Sequence, residues 1–280
     1  MTWEDAEMNQ SERLDYLLEQ FKEDSVQYRN LKTPADPEGK RQILRSLMNI
    51  RMPGVMPASV IKIQDEYLQE RNRLNGIVRI SNIPAVKDLG SSHPFADRIS
   101  LWQGDITRLS VDAIVNAANS QMLGCFVPMH ACIDNCIHTY AGIQLRAECA
   151  GKMRELRLRY GDDYEQPTAV PMLTDGYNLP AKKVIHVVGP VVSGKLTERL
   201  EQDLAACYRN TLDMCLENDL KTAAFCCIST GVFRFPNKRA AQIAVKTVTD
   251  WLTEHPASMN RVIFNVFKDE DREYYEQELF

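Results

Sequence analysis

The sequence predicts an α/β fold in which helices cover a parallel or mixed sheet, preceded by a helical N-terminal region. Three observations support this prediction. From Arg98 onward, short apolar, β-branched runs alternate with long amphipathic segments. Before about residue 96, the apolar residues have helical spacing instead. The chain of 280 residues also exceeds the roughly 150 residues of an average domain, so we expect one enlarged domain or a domain with an appendage.

The N-terminal region, residues 1–95, contains groups of apolar residues at helical spacing, which predict three helices. The groups lie in residues 14–21, 43–48 and 61–68. Several prolines separate them, and Ser11 is an incomplete N-cap signal for the first helix. We therefore divide the chain into an N-terminal helical extension, residues 1–95, and a second domain, residues 96–280.

The second domain has six candidate strands and four candidate helices. The strands are predicted at residues 99–103, 113–115, 169–173, 184–188, 222–228 and 262–267. The helices are predicted at residues 136–160, 196–218, 239–255 and 270–279. In the second of these helices, Leu200, Leu204 and Cys207 fall on one face, as a helix that lies on a sheet requires.

Composition and charge argue against several classes of protein. With 44% hydrophobic and 25% charged residues, the chain has ordinary globular composition. The net charge of -5 argues against sequence-independent nucleic-acid binding, which needs a positive surface. We see no secretory signal and no apolar run that could span a membrane. We therefore expect a cytoplasmic protein that binds neither nucleic acid nor membrane, whose eight cysteines are thiols or metal ligands.

Small or hydrogen-bonding residues follow three of the candidate strands. The segments are Gly-Asp-Ile-Thr at 104–107, Asn-Ala-Ala-Asn at 116–119 and Ser-Thr-Gly-Val-Phe at 229–233. Ligands of open α/β sheets bind at such strand ends, and backbone N–H groups near a glycine can bind a pyrophosphate. Ordinary turns have similar sequences, so Asp105 is also compatible with a turn former and Asn116 with a cap of a chain reversal.

Cys125, His130 and Cys132 form a C-x4-H-x-C group. Two thiolates and an imidazole bind Zn²⁺ in preference to Mg²⁺ or Ca²⁺. Three protein ligands leave a fourth position open, as in catalytic zinc sites, whereas structural zinc usually has four protein ligands. The alternative is a closed structural site, in which Cys136 or His138 supplies the fourth ligand.

These motifs, in this order, resemble those of macrodomains, and residues 114–119 are the most specific of them. The loop from Gly124 to His138 and parts of residues 48–68 resemble the zinc-dependent branch of that family, so the resemblance covers nearly the whole chain. It implies a three-layer α/β/α fold with a mixed central sheet and an N-terminal helical extension. It also implies a cleft for ADP-ribose and the hydrolytic removal of mono-ADP-ribose from modified proteins. Arg234 departs from the branch, which often has glycine there.

The resemblance further implies the roles of individual residues. Asp105 and the Ile106 backbone would hold the adenine, Asn119 would reach the distal ribose, and Ile133 would offer a backbone amide to the diphosphate. Another segment would hold the diphosphate, with its aromatic residue against the ligand. That segment consists of Ser229, Thr230, Gly231, Val232 and Phe233.

Asp134 is our candidate for a general base or electrostatic partner, with Asn119 as the second catalytic residue. A carboxylate near an oxocarbenium-like centre lowers the energy of that centre. The alternative role of Asp134 is the N-cap of the helix that follows it. We expect His138 and His186 to be core groups rather than catalytic ones.

Two other functions use the same cleft and stay open. One is a binding module that recognises ADP-ribose and has a structural zinc, and the other is an O-acetyl-ADP-ribose deacetylase. A fold alone does not decide between them, because function depends on the site. The expected partners are ADP-ribose and a mono-ADP-ribosylated protein.

Overall fold

The structure is a computed structural model that describes residues 8–280. Within these residues the chain forms eight α-helices, which are α1 (Gln10–Glu23), α2 (Pro37–Ile50), α3 (Ala58–Asn75), α4 (Ile133–Ala141), α5 (Ile143–Tyr160), α6 (Glu198–Glu217), α7 (Asn237–Glu254) and α8 (Asp269–Leu279). The strands of the same residues are β1 (Val78–Arg79), β2 (Ile99–Gln103), β3 (Leu109–Ser110), β4 (Ala113–Ala118), β5 (Met172–Asp175), β6 (Lys183–Val188), β7 (Thr222–Phe225) and β8 (Arg261–Val266). No helix in this part of the chain is long and apolar enough to cross a membrane.

The central sheet of the described chain has the strand order β2-β8-β7-β4-β6-β5. Its strands are parallel except β5, which runs antiparallel to β6. Helices α6, α7 and α8 pack in sequence against one another, and α4 packs against α5. The predicted α/β fold with a mixed central sheet and flanking helices is therefore confirmed.

Four of the predicted segments in this domain have wrong boundaries. The strand predicted at 169–173 is Met172–Asp175, since Ala169 before it has a φ of +63°, and the strand predicted at 222–228 ends at Phe225. Strand β4 continues past residue 115 to Ala118, because the polar Asn116 is fully buried inside the sheet, in register with His186. The predicted helix 136–160 is in fact two helices, α4 and α5. Gly142 separates them with a φ of +96°, a left-handed conformation that favours glycine.

Helices α1, α2 and α3 confirm the three helices predicted for the N-terminal region. They have a hydrophobic core of their own, which includes Leu17, Phe21 and Leu47. Helix α1 is capped by Asn9 rather than by Ser11, since Asn9 and Glu12 form a capping box. The division between 1–95 and 96–280 stays a prediction, and residues 1–7 of the extension lie outside the described residues.

The topology of the sheet brings the predicted site segments to one edge of the sheet. Strands β2, β8, β7 and β4 are parallel neighbours, so their carboxyl ends meet at one edge of the sheet. The segments that begin at Gly104, Asn119 and Cys226 leave the sheet there. This edge is where open α/β sheets bind ligands.

Candidate active site

Cys125, His130 and Cys132 lie together in the loop between β4 and α4. Their potential ligand atoms all lie within 4.8 Å of one another, and each residue is partly exposed. The Cys125 Sγ is 3.5 Å from the His130 Nδ1. Burial raises the pKa of the Cys132 thiol to about 12, so a bound cation would be needed to favour its thiolate form. Two sulfur atoms and one imidazole nitrogen at this spacing fit the preferences of Zn²⁺.

The two alternative fourth ligands, Cys136 and His138, do not belong to this group of potential ligands. The Cys136 Sγ is 3.7 Å from Nη2 of Arg45, on α2. His138 instead lies in a second, buried group with Cys149 and His186. The arrangement therefore favours three protein ligands over four.

Asp134 is buried in the first turn of α4, two residues after Cys132, the N-cap of that helix. Its Oδ1 accepts a hydrogen bond of 2.8 Å from Nδ2 of Asn116, and its Oδ2 accepts one of 3.5 Å from Nδ2 of Asn119. Burial raises the pKa of Asp134 to about 6. The N-cap of α4 is Cys132, whose Sγ accepts from the backbone N–H of Asn135, so the alternative N-cap role for Asp134 is wrong.

Asn116 orients Asp134 through a buried chain of hydrogen bonds. Its amide nitrogen also lies 3.0 Å from Nδ1 of His186, and Nε2 of His186 lies 3.0 Å from Oγ1 of Thr174. Since the Asn116 amide donates to both neighbours, Nδ1 of His186 accepts and Nε2 carries the proton. Burial lowers the pKa of His186 to about 3, which keeps this ring neutral. His186 is thus buried as expected, and it also fixes the amide that contacts Asp134.

His138 is buried, but it is not the satisfied core group that we expected. Its Nε2 lies 3.6 Å from Oδ1 of Asp134, which is longer than a hydrogen bond. Neither ring nitrogen has a hydrogen-bond partner within residues 8–280. Burial lowers the pKa of His138 well below its usual value, so the ring is neutral. The ring lies against Gly124, the first residue of the predicted metal loop.

Replacing Gly124 by alanine is expected to destabilise the protein by about 2 kcal/mol. Gly124 has a φ of +80°, and an added Cβ would lie 2.7 Å from the His138 ring. Gly90→Ala is the matched control, because Gly90 has a φ of +94° and open space around it, and should cost only about 1 kcal/mol. Urea unfolding of both variants measures the difference. Equal losses of unfolding free energy in the two variants would contradict the close packing of His138 against Gly124.

The predicted adenine segment lies at the same edge of the sheet. Oδ1 of Asp105 accepts hydrogen bonds from the backbone N–H and the hydroxyl of Thr107, at 2.9 and 2.7 Å. Asp105 is therefore a turn former, which was the alternative role predicted for it, and it caps the short 3₁₀ helix Ile106–Arg108. Its contact with adenine stays a prediction, as does that of Ile106, which is itself buried.

The predicted diphosphate segment follows β7. Ser229 has a φ of +65°, and its buried Oγ has no hydrogen-bond partner in the described chain. The Phe233 carbonyl accepts from the Val192 N–H, which joins this segment to the loop after β6. The remaining residues are partly or fully exposed, and they are Thr230, Gly231, Val232 and Phe233. Exposed backbone around Gly231 suits an anion, and the roles of these residues stay predictions.

Ile133 is the first residue of α4, so its backbone N–H is among those that lack a partner within the helix. Such N–H groups favour an anion, in agreement with the predicted contact to the diphosphate, which stays a prediction. The sequence analysis gave no role to four of the residues that orient this region, namely Arg45, Asn49, Asn135 and Arg146. It considered Asn116 as a cap of a chain reversal, which is wrong, because Asn116 lies inside β4 and donates to Asp134. For Asn116 the available signal was a polar residue inside an apolar run.

The fold and the sheet edge define an α/β ligand-binding domain with a Cys-His-Cys loop. Residues 115–244 match the Macro domain. The chain is 46% identical to a protein-ADP-ribose hydrolase of Treponema medium, over 96% of this chain and 98% of that protein. It is 41% identical to a protein-ADP-ribose hydrolase of Staphylococcus aureus (strain MRSA252), over 95% of this chain and 94% of that protein. The chain belongs to the macrodomain family.

Two solved macrodomain structures are also similar to this chain. A Trypanosoma brucei macrodomain in complex with ADP-ribose is 30% identical, with a TM-score of 0.63, over 87% of this chain and 96% of that chain. An Oceanobacillus iheyensis macrodomain with ADP is 32% identical, with a TM-score of 0.57, over 66% of this chain and 92% of that chain.

Proposed function

We propose that this chain is a Zn²⁺-dependent hydrolase that removes mono-ADP-ribose from modified proteins. The observation that carries the proposal is the group of Cys125, His130 and Cys132 in the loop before α4, the helix whose first turn carries the buried carboxylate of Asp134. The similarity to protein-ADP-ribose hydrolases over nearly the whole chain supports the reaction class. The bound ADP-ribose of the trypanosomal macrodomain supports the ligand.

The ligand would lie along the carboxyl edge of the sheet. The adenine would contact Asp105 and Ile106, after β2, and the diphosphate would contact residues 229–233, after β7. The distal ribose would then reach Asn119, which follows β4 directly and donates to Asp134. In this order the reacting end of ADP-ribose would lie beside the Cys-His-Cys loop.

The reaction breaks the bond between the anomeric carbon of the distal ribose and the acceptor side chain. A water molecule supplies the hydroxyl group that the anomeric carbon gains, and its other proton goes to the departing acceptor. Asp134 stabilises positive charge that develops at the anomeric carbon, or it accepts the proton of the attacking water. Asn116 holds the carboxylate in place through its 2.8 Å hydrogen bond. Asn119 orients the ribose.

Cys125, His130 and Cys132 would hold the Zn²⁺ ion, with a fourth position left for solvent or substrate. When bound, Zn²⁺ supplies Lewis-acid chemistry that polarises an oxygen of the ligand and lowers the pKa of water. The chain itself would supply two thiolates and one imidazole as ligands, all from the loop before α4.

Turnover of a mono-ADP-ribosylated protein by the zinc-loaded chain tests this proposal. Release of free ADP-ribose is measured after metal analysis, alongside cleavage of O-acetyl-ADP-ribose and of poly-ADP-ribose. We expect rapid release from the mono-modified protein and little from the polymer. Intact modification with Zn²⁺ fully loaded would refute the hydrolase and favour the binding module. Faster cleavage of the O-acetyl ester would favour the deacetylase.

A further inference from the structure

Polar side chains of the N-terminal helix α2 reach the Cys-His-Cys loop, although that loop lies some 85 to 90 residues further along the chain. Nη2 of Arg45 donates to the carbonyl oxygen of His130 at 3.0 Å. It also donates to Oδ1 of Asn135 at 2.8 Å. The Arg45 guanidinium thus contacts the backbone of the potential ligand His130 and the side chain of Asn135, three residues after Cys132.

Asn135 in turn forms hydrogen bonds with the other two potential ligands, Cys125 and Cys132. Its side chain is fully buried, and its Nδ2 donates to the Val127 carbonyl at 2.9 Å and to the Cys125 carbonyl at 3.4 Å. Its backbone N–H donates to the Cys132 Sγ at 3.4 Å. Arg45 fixes the orientation of the Asn135 amide, because its guanidinium is a donor and requires the amide oxygen to face it. The Arg45 guanidinium is therefore connected to the backbone of His130 directly and to that of Cys125 through the Asn135 amide, while the Asn135 backbone N–H contacts Cys132.

Asn49, one helical turn after Arg45, contacts the loop directly before His130. Its buried Oδ1 accepts from the Met129 N–H at 3.1 Å, and its Nδ2 donates to the Thr139 hydroxyl at 2.9 Å. Met129 has a φ of +58°, an unfavourable conformation for a side chain of this size. The strained conformation persists where surrounding contacts enforce it, and Asn49 supplies such a contact.

Arg146, on α5, fixes the end of α2 to the beginning of the loop. Its Nη1 donates to the carbonyls of Met48, Asn49 and Arg51, at 3.1, 2.8 and 2.6 Å. These carbonyls lie at the C-terminal end of α2, where helical partners are missing. The Arg146 Nε donates to the Leu123 carbonyl at 2.8 Å. Arg146 therefore joins the end of α2 to the beginning of the loop, and Arg45 joins α2 to the loop at His130.

We propose that α2 is an integral part of the metal centre, and that Arg45 and Asn49 are positioning residues which bring the three metal ligands together. The inference rests on the proposed function for the presence of Zn²⁺. It assigns a role to the N-terminal helices, which is to organise the metal loop rather than only to cover the sheet. Neither residue touches the substrate in this proposal, and each acts through the loop.

Metal binding by the full chain tests this inference. The variants are Arg45→Met, which keeps the aliphatic stem and removes the guanidinium, and Asn49→Ala. Arg41→Met is the matched control, since Arg41 lies one turn earlier on α2 and pairs with Glu38 at the surface. Zn²⁺ affinity is measured by competition with a chromophoric chelator. The absorption of Co²⁺ bound to thiolates reports the ligand geometry, and circular dichroism reports folding.

We expect Zn²⁺ affinity to fall at least about 10-fold in Arg45→Met and Asn49→Ala, with an altered Co²⁺ spectrum, and to stay within about 2-fold in Arg41→Met. Affinity within about 2-fold and an unchanged Co²⁺ spectrum in both variants would overturn the inference, and so would a wild-type chain that binds neither metal. If one variant fails to fold, the other decides. A wild-type chain that binds Zn²⁺ without cleaving ADP-ribosylated protein refutes the proposed function, and the metal measurements still decide this inference.

Discussion

Asp134→Asn is expected to lower kcat for release of ADP-ribose from a mono-ADP-ribosylated protein by about 1000-fold, within the range for loss of a catalytic carboxylate. The amide keeps an oxygen that can accept from Asn116, and it removes the negative charge beside the expected position of the anomeric carbon. The affinity for ADP-ribose should change by less than about 5-fold, because the lost interaction strengthens in the transition state. Steady-state kinetics with the modified protein and calorimetric titration with ADP-ribose measure the two quantities.

The control for this prediction is Asp175→Asn, which removes a carboxylate from an exposed ion pair with Lys183. It should leave kcat unchanged. The new amide loses the hydrogen bond from Asn119, and the removal of a buried charge offsets that loss, so the stability of Asp134→Asn should lie within about 1 kcal/mol of the wild type in the metal-free state. A kcat within about 10-fold of wild type would assign the chemistry to another group.

Cys132→Ser is expected to weaken Zn²⁺ binding by more than about 100-fold, since it removes a thiolate from a three-ligand site. Hydrolysis should fall with the metal, because the proposed reaction needs the ion. The fold should survive, since Cys132 lies in a loop outside the hydrophobic core of the sheet. Metal analysis after gel filtration, together with turnover at saturating Zn²⁺, measures both effects.

Cys136→Ser is the matched comparison, because Cys136 lies one helical turn further on and outside the group of three. It should retain Zn²⁺ and turnover within about 2-fold of wild type. Equal loss of metal in Cys132→Ser and Cys136→Ser would indicate four protein ligands. That outcome would favour a structural zinc and the ADP-ribose-binding module.

Much of the fold could be predicted from sequence because its sheet follows simple patterns. Strand 99–103 was predicted with the bounds that the structure has, since Ile99, Leu101 and Trp102 lie in a short segment that ends at Gly104. The Cys-His-Cys group was also predictable, because metal-binding side chains are rare and their spacing is local. The structure brings their ligand atoms together as that spacing suggested.

The contacts that orient the site could not be predicted in this way. Arg45 and His130 are 85 residues apart, and an arginine on an amphipathic helix has many possible partners. The hydrogen bond between Asn116 and His186 depends on the register of β4 against β6, which no local pattern gives. The break at Gly142 was missed because a single glycine within a helical pattern is often tolerated.

The long-range contact between α2 and the Cys-His-Cys loop has a consequence for the order of folding. Closing so large a stretch of chain is slow compared with forming a helix, so the loop takes its final conformation late. During synthesis α2, which carries Arg45 and Asn49, leaves the ribosome before the loop does, so we expect the helix to form first. We therefore expect the ion to be captured at one of the last steps of maturation, after the N-terminal helices have docked.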